Sequence, residues 1–243
     1  MKRTTLTIAA LAVMASGAMA QDVVRIGTEG AYPPWNFIND NNELVGYEID
    51  LGNEICARAG LTCEWVINDW DTIIPNLVAG NYDVIMAGMS ITEARSQVIS
   101  FSTNYLPPDA SAYMALAGTD VSVIDSGVIA AQSNTVQAGV VADGTATLLE
   151  FPTPDETISA VRNGEVDAVL ADRSFLVPYV NDSNGELEFI GDEIFPGGGV
   201  GAGVRQSDNE LRETITAVVE EMKADGSLNA LIDEWFDDGM GRF

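Results

Sequence analysis

A short pattern that occurs twice in this chain constrains its fold more than any other feature. It consists of glycine, any residue, an apolar residue and aspartate, followed by three apolar residues and alanine, and it spans Gly80–Ala87 and Gly164–Ala171. Any helix–turn–strand unit can look like this, but the repetition favours two similar α/β lobes. Open α/β sheets bind ligands beyond the carboxyl ends of their strands. Two facing lobes would therefore bring Gly88, Ser90 and Asp172 to one cleft.

The segments around this repeat alternate between strand-like and helix-like patterns, which is typical of a parallel α/β sheet. We predict strands over residues 23–27, 64–67, 83–89, 127–131, 148–151 and 168–171, and a glycine-rich extended segment over 199–204. We predict helices over residues 50–59, 71–79, 92–98, 135–142, 155–163, 174–180, 208–223 and 228–236. Asp71 and Thr92 are the predicted N-caps of the helices that they begin.

The first twenty residues differ in character from the rest of the chain. Lys2 and Arg3 precede an apolar run over 6–14, and Ala18–Ala20 is a small-residue cleavage site before Gln21. This arrangement predicts a secretory signal peptide over residues 1–20, cleaved after Ala20, rather than a retained anchoring helix. Since no cysteine follows the cleavage site, we do not expect a lipid anchor.

Charge and composition exclude several classes of function. The whole chain has 11 basic and 37 acidic residues and a formal net charge of −26, and loss of Lys2 and Arg3 would bring that charge to −28. Such a charge argues against binding to nucleic acid or to anionic membranes. The chain contains no histidine, so the commonest general base and every Ser–His or Cys–His pair are absent. Asp and Glu could still act as acids or bases.

The two cysteines, Cys56 and Cys63, would connect the end of a helix to the start of the next strand. Export permits a disulfide between them, and closing so short a loop would stabilise the fold by about 2–3 kcal/mol. A metal site is disfavoured, because there is no histidine and no second cysteine pair.

Four stretches together resemble a known family, with weaker likeness over Gln132–Thr135, Asp167–Asp172 and the C-terminal helices. They are Arg25–Phe37, Leu44–Leu51, Asp69–Leu77 and Asp83–Arg95. The chain resembles the periplasmic amino-acid-binding proteins of ABC importers, especially binders of lysine, arginine, ornithine, histidine, octopine and nopaline. The spacing of Cys56 and Cys63 also looks like the disulfide of the histidine and lysine binders.

The resemblance implies a two-lobed α/β fold, the type II periplasmic-binding-protein fold, with an α/β sheet in each lobe. Residues 22–108 plus 200–243 would form the first lobe and residues 109–199 the second. Two strands would cross between the lobes, near residues 112–115 and 199–202. The family also implies a periplasmic monomer without cofactor or metal, which closes on an amino acid and delivers it to the permease subunits of an importer.

The family pattern assigns the two charged ends of a bound amino acid to opposite lobes. Arg95 would pair with the ligand carboxylate, because a guanidinium can bind a carboxylate through two hydrogen bonds. Ser90 and Thr92 would add hydroxyl and amide groups, and Thr92 opens a helix whose N-terminus favours an anion. Asp172 would accept the ammonium, and Thr135 would give an amide and a hydroxyl to the carboxylate. Without the family match, Asp172 reads as a helix cap, and Arg95 fits a surface position on its helix as well as a binding role.

Aromatic and small residues would complete the site. Tyr32 and Trp70 match family positions that pack on the ligand side chain, whereas Trp35 is expected to be structural. Ala87 and Gly88 stand where several binders of basic amino acids have serines, so that only backbone groups are available there. The loop over Gln132–Thr135 reads Gln-Ser-Asn-Thr, where the family commonly has Gln-Gly-Thr-Thr.

The predicted charge of the site bears on the identity of the ligand. Glu29 matches an acidic residue that contacts the distal cation in relatives that bind basic ligands. With Glu29 and Asp172 against Arg95 alone, the site would be net acidic and would favour lysine, arginine, ornithine, histidine or an arginine-derived opine. A glutamine-type ligand is the alternative, since related binders also carry an acidic residue there.

Two other functions remain open at this point. Some proteins of this fold are dehydratases or lytic enzymes, although simple stoichiometric binding would count against that reading. A protein that presents its closed, ligand-bound form to a receptor instead of an importer would have the same sequence features. Genes for a permease and an ATPase beside this gene would indicate an importer, and a gene for a signalling receptor would indicate a receptor.

Overall fold

The computed structural model describes residues 23–236 and 239–243, so the predicted signal peptide and its cleavage site lie outside the described residues. The strands are β1 (Val24–Thr28), β2 (Ala31–Tyr32), β3 (Asn36–Ile38), β4 (Leu44–Val45), β5 (Cys63–Ile67), β6 (Val84–Ile85), β7 (Ile99–Leu106), β8 (Ser111–Leu116), β9 (Val128–Gln132), β10 (Thr147–Phe151), β11 (Ala168–Asp172), β12 (Leu187–Ile194) and β13 (Val200–Arg205).

Helices cover the faces of the sheets that these strands form. They are α1 (Tyr47–Ala59), α2 (Ile73–Val78), α3 (Glu93–Ser96), α4 (Val123–Ser126), α5 (Val136–Asp143), α6 (Pro154–Arg162), α7 (Arg173–Asp182), α8 (Asn209–Asp225) and α9 (Ser227–Trp235), with a short 3₁₀ helix over Trp70–Thr72. Within residues 23–236 and 239–243, no helix is both long and apolar enough to span a bilayer.

Two five-stranded sheets with the same plan carry the fold. Their strand orders are β5–β1–β6–β13–β7 and β10–β9–β11–β8–β12, and a small sheet β2–β3–β4 accompanies them. In each large sheet the first three strands are parallel and the last two run antiparallel to their neighbours. This arrangement confirms the predicted two-lobed α/β fold.

The repeated sequence pattern has the same structural role in both lobes. Its aspartates immediately precede β6 and β11, the central strands of the two sheets. The Asp83 amide donates to the Arg25 carbonyl over 2.8 Å, and the Arg25 amide donates to Asp83 Oδ2 over 3.0 Å. Asp167 and Val128 form the same reciprocal pair, with distances of 2.8 and 2.7 Å. Each aspartate therefore fixes the entry of a central strand beside its neighbour.

Several local features differ from the sequence predictions. The predicted strand over 83–89 is regular only at Val84–Ile85, and Gly88 leaves the extended conformation with φ of 60°. Asp71 lies inside the 3₁₀ helix and is therefore not the N-cap of α2. Strands β7 and β12 were not predicted, and both are edge strands of their sheets. Edge strands tolerate polar residues on their exposed sides, so their hydrophobic pattern is weak.

The chain passes between the two sheets over residues 107–110 and 195–199, close to the predicted crossings at 112–115 and 199–202. Residues 112–115 lie instead within β8, which pairs with β11 and β12, so this predicted position is wrong by a few residues. Pro107 and Pro108 have no amide hydrogen for a strand ladder and end the first sheet there. At Gly199, φ is 91° and a Cβ atom would lie 2.6 Å from the Leu106 carbonyl oxygen.

A disulfide joins Cys56 to Cys63 and confirms the predicted pairing. It links α1 to the first residue of β5, with the two Cα atoms 6.3 Å apart. Cys56 is buried in the core of the first lobe, where α1, α8 and α9 pack together. The crosslink thus ties a core helix to the outer strand of the first sheet.

Candidate ligand-binding site

A cavity lies between the two sheets, next to the ends of β1, β6, β9 and β11. It contains nine of the ten predicted site residues, Thr92 being the exception. The lining residues are Glu29, Tyr32, Trp70, Ala87, Gly88, Ser90, Arg95, Gln132, Thr135, Val136, Gln137 and Asp172. Since residues of both lobes line the cavity, a molecule held there would touch both lobes.

Arg95 is the one basic side chain in this lining. Its Nη1 donates to the Ser90 carbonyl over 2.8 Å and its Nη2 to the Asn134 carbonyl over 3.1 Å. The guanidinium also lies 5.3 Å from the centre of the Trp70 ring. Burial lowers the pKa of Arg95 to about 10, so the group stays charged at neutral pH. No carboxylate of the described residues forms an ion pair with it.

Thr92 positions Arg95 instead of lining the cavity. It is the N-cap of α3, as predicted, and its hydroxyl oxygen accepts a hydrogen bond from the Arg95 amide over 3.2 Å. Such caps satisfy an amide that the first helical turn leaves unpaired. The Thr92 side chain thus fixes the backbone from which the guanidinium extends.

Asp172 faces the cavity from the second lobe. Its Oδ1 accepts from Gln137 Nε2 over 2.9 Å, and its Oδ2 accepts from the Tyr32 hydroxyl over 2.9 Å. Although Asp172 precedes α7, its side chain forms no capping hydrogen bond. Burial raises the pKa of Asp172 to about 6. The hydrogen bonds from Tyr32 and Gln137 and the charge of Arg95 act in the opposite direction and lower it, but they do not offset the effect of burial. The carboxylate is therefore held in place by both lobes.

Glu29 is a second buried carboxyl group in the lining. Gln132 Nε2 donates to its Oε1 over 2.7 Å. Burial raises the pKa of Glu29 to about 7, and the bond from Gln132 only partly offsets this effect. With Asp172, Glu29 gives the cavity two carboxyl groups against one guanidinium. When both are ionised, the lining carries a net charge of −1.

The backbone amide of Gly88, one of the backbone groups expected to be available at this position, already has a partner. It donates to both carboxylate oxygens of Glu48 over 2.8 Å. Glu48 is fully buried and also accepts from Asn36 Nδ2 over 2.8 Å and from the Tyr105 hydroxyl. Burial raises the pKa of Glu48. This network pins the chain at Gly88 beside the cavity.

Thr135 is the N-cap of α5. Its hydroxyl accepts from the Ala138 amide over 3.1 Å and donates to the Gln132 carbonyl over 2.7 Å. The hydroxyl is therefore occupied, whereas the Thr135 amide donates to no group of the described residues. We accordingly expect the amide, rather than the hydroxyl, to face a ligand.

The aromatic residues occupy different positions. The Tyr32 ring stacks on Phe175 of α7, with centroids 4.4 Å apart and planes 10° apart. Trp70 is 8% exposed, and its Nε1 donates to the Ser133 carbonyl over 3.0 Å. Trp35 is outside the cavity lining and is buried in the core of the first lobe, in agreement with the structural role expected for it.

Three lining residues were missed by sequence reasoning: Gln132, Val136 and Gln137. Gln137 is buried and also donates to Ser111 Oγ over 2.9 Å. It is the one polar side chain before Asp143 in the otherwise apolar helix α5. A lone polar residue on such a helix is a signal that could have identified it.

The loop that precedes α5 also closes the mouth of the cleft. Gln132 bonds to Glu29, and the Ser133 carbonyl accepts from Trp70. In addition, the Asn134 carbonyl accepts from Arg95, and Asn134 Nδ2 donates to Asp71 Oδ1 over 3.0 Å. Asn134 has φ of 59°, a conformation that asparagine adopts more readily than most residues. The two lobes therefore contact each other in a closed arrangement.

The profile of bacterial extracellular solute-binding proteins, family 3, matches residues 24–238. The chain belongs to this family. Members of the family among its curated relatives include the histidine-binding periplasmic protein of Escherichia coli strain K12, which is 32% identical over 96% of this chain and 95% of that protein. The octopine-binding periplasmic protein of Rhizobium meliloti is 34% identical over 87% of this chain and 83% of its own length.

A solved structure supports the same family assignment. It is a periplasmic His/Glu/Gln/Arg/opine family-binding protein from Silicibacter pomeroyi in complex with lysine. That protein is 59% identical to this family 3 chain, with a TM-score of 0.87, and the match covers 90% of this chain and 100% of the other.

Among the described residues, no group of three or more His, Cys, Asp or Glu side chains is arranged to hold a metal ion. The lining instead offers two carboxyl groups, one guanidinium and two glutamine amides. These groups suit a small ligand with separate positive and negative ends.

Proposed function

We propose that this family 3 protein captures a basic amino acid, with lysine as the first candidate, and delivers it to an ABC importer. The observation that carries the proposal is the placement of Arg95 and Asp172 in one closed cavity on opposite lobes, together with the second carboxyl group of Glu29. A basic amino acid has one carboxylate and two cationic groups, which is the complement of this lining.

In the proposed complex, the ligand carboxylate pairs with the Arg95 guanidinium and the Thr135 amide. The α-ammonium binds Asp172, and the distal cation binds Glu29. The ligand first meets the first lobe, which contributes Arg95 and Trp70, and the second lobe then closes with Asp172. Closure removes water and so strengthens each charged contact, but the ligand stabilises the closed form only by its greater affinity for that form.

The relatives support a basic ligand without selecting one. The lysine complex of the Silicibacter pomeroyi protein favours lysine, and the histidine and octopine binders keep histidine and octopine as candidates. These relatives are named as binding proteins, which favours binding over a dehydratase-type activity.

The cellular setting is part of the same proposal. Residues 1–20 would be the signal peptide, removed after Ala20, and the protein would act in the periplasm as a monomer with lobes over 22–108 plus 200–243 and over 109–199. The permease subunits of the importer would recognise the closed form. A receptor is the alternative partner, and permease and ATPase genes beside this gene would favour the importer.

Calorimetric titration of the mature protein with lysine, arginine, ornithine, histidine, glutamine and octopine tests the proposal. We expect one-to-one binding, with a basic ligand bound most tightly. If glutamine binds most tightly, the ligand is neutral and not basic. If none of the six compounds binds, the proposed ligand class is rejected.

Replacing Glu29 with glutamine should weaken the binding of lysine by at least about tenfold. The substitution keeps a polar side chain near Gln132 but removes the negative charge proposed to face the distal cation. Glutamine as ligand lacks that cation, so its affinity should change much less. The two titrations are compared for wild type and variant, and equal losses for both ligands would remove Glu29 from its proposed role.

The affinity for lysine should fall by at least about tenfold between pH 8 and pH 5. Burial raises the pKa of Glu29 to about 7 and that of Asp172 to about 6. Both groups take up protons as the pH falls, and a protonated carboxyl group must lose its proton to pair with a cation. Titrations at half-unit steps measure the dependence. The Glu29→Gln variant should show a shallower dependence, and a constant affinity from pH 8 to pH 5 would contradict the proposed pairing.

A further inference from the structure

A chain of hydrogen bonds connects the lobes outside the ligand cavity. Trp35 Nε1 donates to Ser174 Oγ over 3.0 Å, and Ser174 Oγ donates to Asp109 Oδ2 over 2.8 Å. Trp35 belongs to the first lobe, Ser174 to the first turn of α7 in the second lobe, and Asp109 to the crossing segment 107–110. None of the three lines the cavity. The chain therefore joins both lobes and the segment between them.

The direction of these hydrogen bonds follows from the chemistry of the three groups. An indole N–H can only donate, and an ionised carboxylate can only accept. A serine hydroxyl can donate and accept at the same time, so the serine at position 174 can connect Trp35 to Asp109. An alanine at this position would leave the indole N–H and the carboxylate without that partner.

The surroundings make the connection specific to the closed arrangement. Trp35 is 1% exposed, and its ring packs edge-on against Phe236, with centroids 5.1 Å apart. Its Nε1 thus reaches Ser174 from a fixed position in the first core. Ser174 is equally fixed, because α7 packs on β8, β11 and β12, and the amide of Arg173 donates to the Ala110 carbonyl over 2.7 Å. A rotation of one lobe against the other would separate the two side chains.

Charged groups also meet at this point. Burial, together with the nearby charge of Asp172, raises the pKa of Asp109 to about 7, whereas the Ser174 hydroxyl, the Ala110 amide and the charge of Arg173 favour its ionised form. The ionised form of the buried Asp109 carboxyl group therefore depends on its hydrogen-bond donors, and Ser174 is one of them.

We propose that Ser174 is a positioning residue for closure, which fastens the two lobes at the crossing side and so raises ligand affinity without touching the ligand. A closed form stabilised by this contact is populated more often, and the apparent affinity rises with the populated fraction of the competent form. The effect on affinity rests on the proposed function, whereas the effect on the lobe arrangement does not.

The test uses the Ser174→Ala variant with two readouts. The first is the distribution of distances between spin labels on Val78→Cys and Val121→Cys, two exposed positions on opposite lobes, measured without ligand. The second is calorimetric titration with L-lysine. We expect the variant's distances to move away from the separation in the closed structure, and its affinity for lysine to fall about five- to thirtyfold. The control is Ser159→Ala, which removes an exposed hydroxyl from α6 and should change neither readout.

The Trp35→Phe variant removes the indole N–H and provides a second test if Ser174→Ala does not fold. If the two side chains act as a pair, the double variant should lose little more affinity than either single one. Unchanged distances and affinity in both single variants would overturn the proposal. A lower melting temperature with unchanged distances and affinity would also overturn it, by showing a purely structural role. If wild type binds none of the six ligands, the proposed function fails while the distance measurement still decides the role of Ser174.

Discussion

Replacing Arg95 with alanine should weaken the binding of a basic amino acid by about 2–5 kcal/mol. The dissociation constant would rise by roughly thirtyfold to several thousandfold. Arg95 is the one basic side chain in the lining, so without it the ligand carboxylate would be enclosed beside Glu29 and Asp172 with no positive partner. An unpaired charge in a closed cavity costs more than the loss of one exposed contact.

Calorimetric titration with lysine measures this effect directly. The matched control is Arg162→Ala, because Arg162 also lies over an aromatic ring, that of Tyr179 at 6.0 Å, but is not part of the cavity lining. The control should bind lysine like wild type. Near-normal affinity of the Arg95 variant, with its fold intact by circular dichroism, would contradict the proposed carboxylate site.

Replacing Asp172 with asparagine should weaken binding by a similar amount, about 2–4 kcal/mol. The substitution keeps the size of the side chain and an oxygen that can accept from Gln137 or Tyr32. It removes the negative charge that the α-ammonium is proposed to need. The loss should therefore appear in ligand affinity rather than in folding, and titration with lysine combined with thermal unfolding of the free protein separates the two.

Asp71 provides the matched control for this second prediction. It lies at the mouth of the same cleft and also accepts one hydrogen bond across it, from Asn134, but it is exposed and does not line the cavity. Asp71→Asn should change affinity by no more than a few-fold. Equal effects of the two substitutions would show that Asp172 acts through general electrostatics, without a specific contact to the ligand.

The repeat and the family resemblance predicted the fold class, and the structure places nine of the ten predicted site residues along one cavity. The local sequence pattern alone would not have identified these residues as site residues. Asp172 follows a strand and precedes a helix, where an aspartate is usually a cap, and Arg95 lies on a short helix with no visible partner in sequence. Their roles as ligand contacts remain predictions.

What the sequence could not predict depends on contacts between distant segments. Trp35 and Ser174 are 139 residues apart, and neither lies in a pattern that indicates the other. The Gly88 amide is similarly occupied by Glu48, which in the sequence lies just before the helix predicted over residues 50–59. Both contacts arise from the packing of elements whose relative positions no local periodicity determines.

The position of β13 in the first sheet has a consequence for the order in which the chain can fold. β13 follows every other strand in the sequence, yet it lies between β6 and β7. The second sheet needs only residues 111–194, whereas β6 and β7 cannot be joined until residues 200–205 are present. During synthesis from the N-terminus, the first lobe thus waits for nearly the whole polypeptide. If the chain crosses a membrane before it folds, as the proposed export requires, the first sheet stays incomplete until most of the chain has crossed.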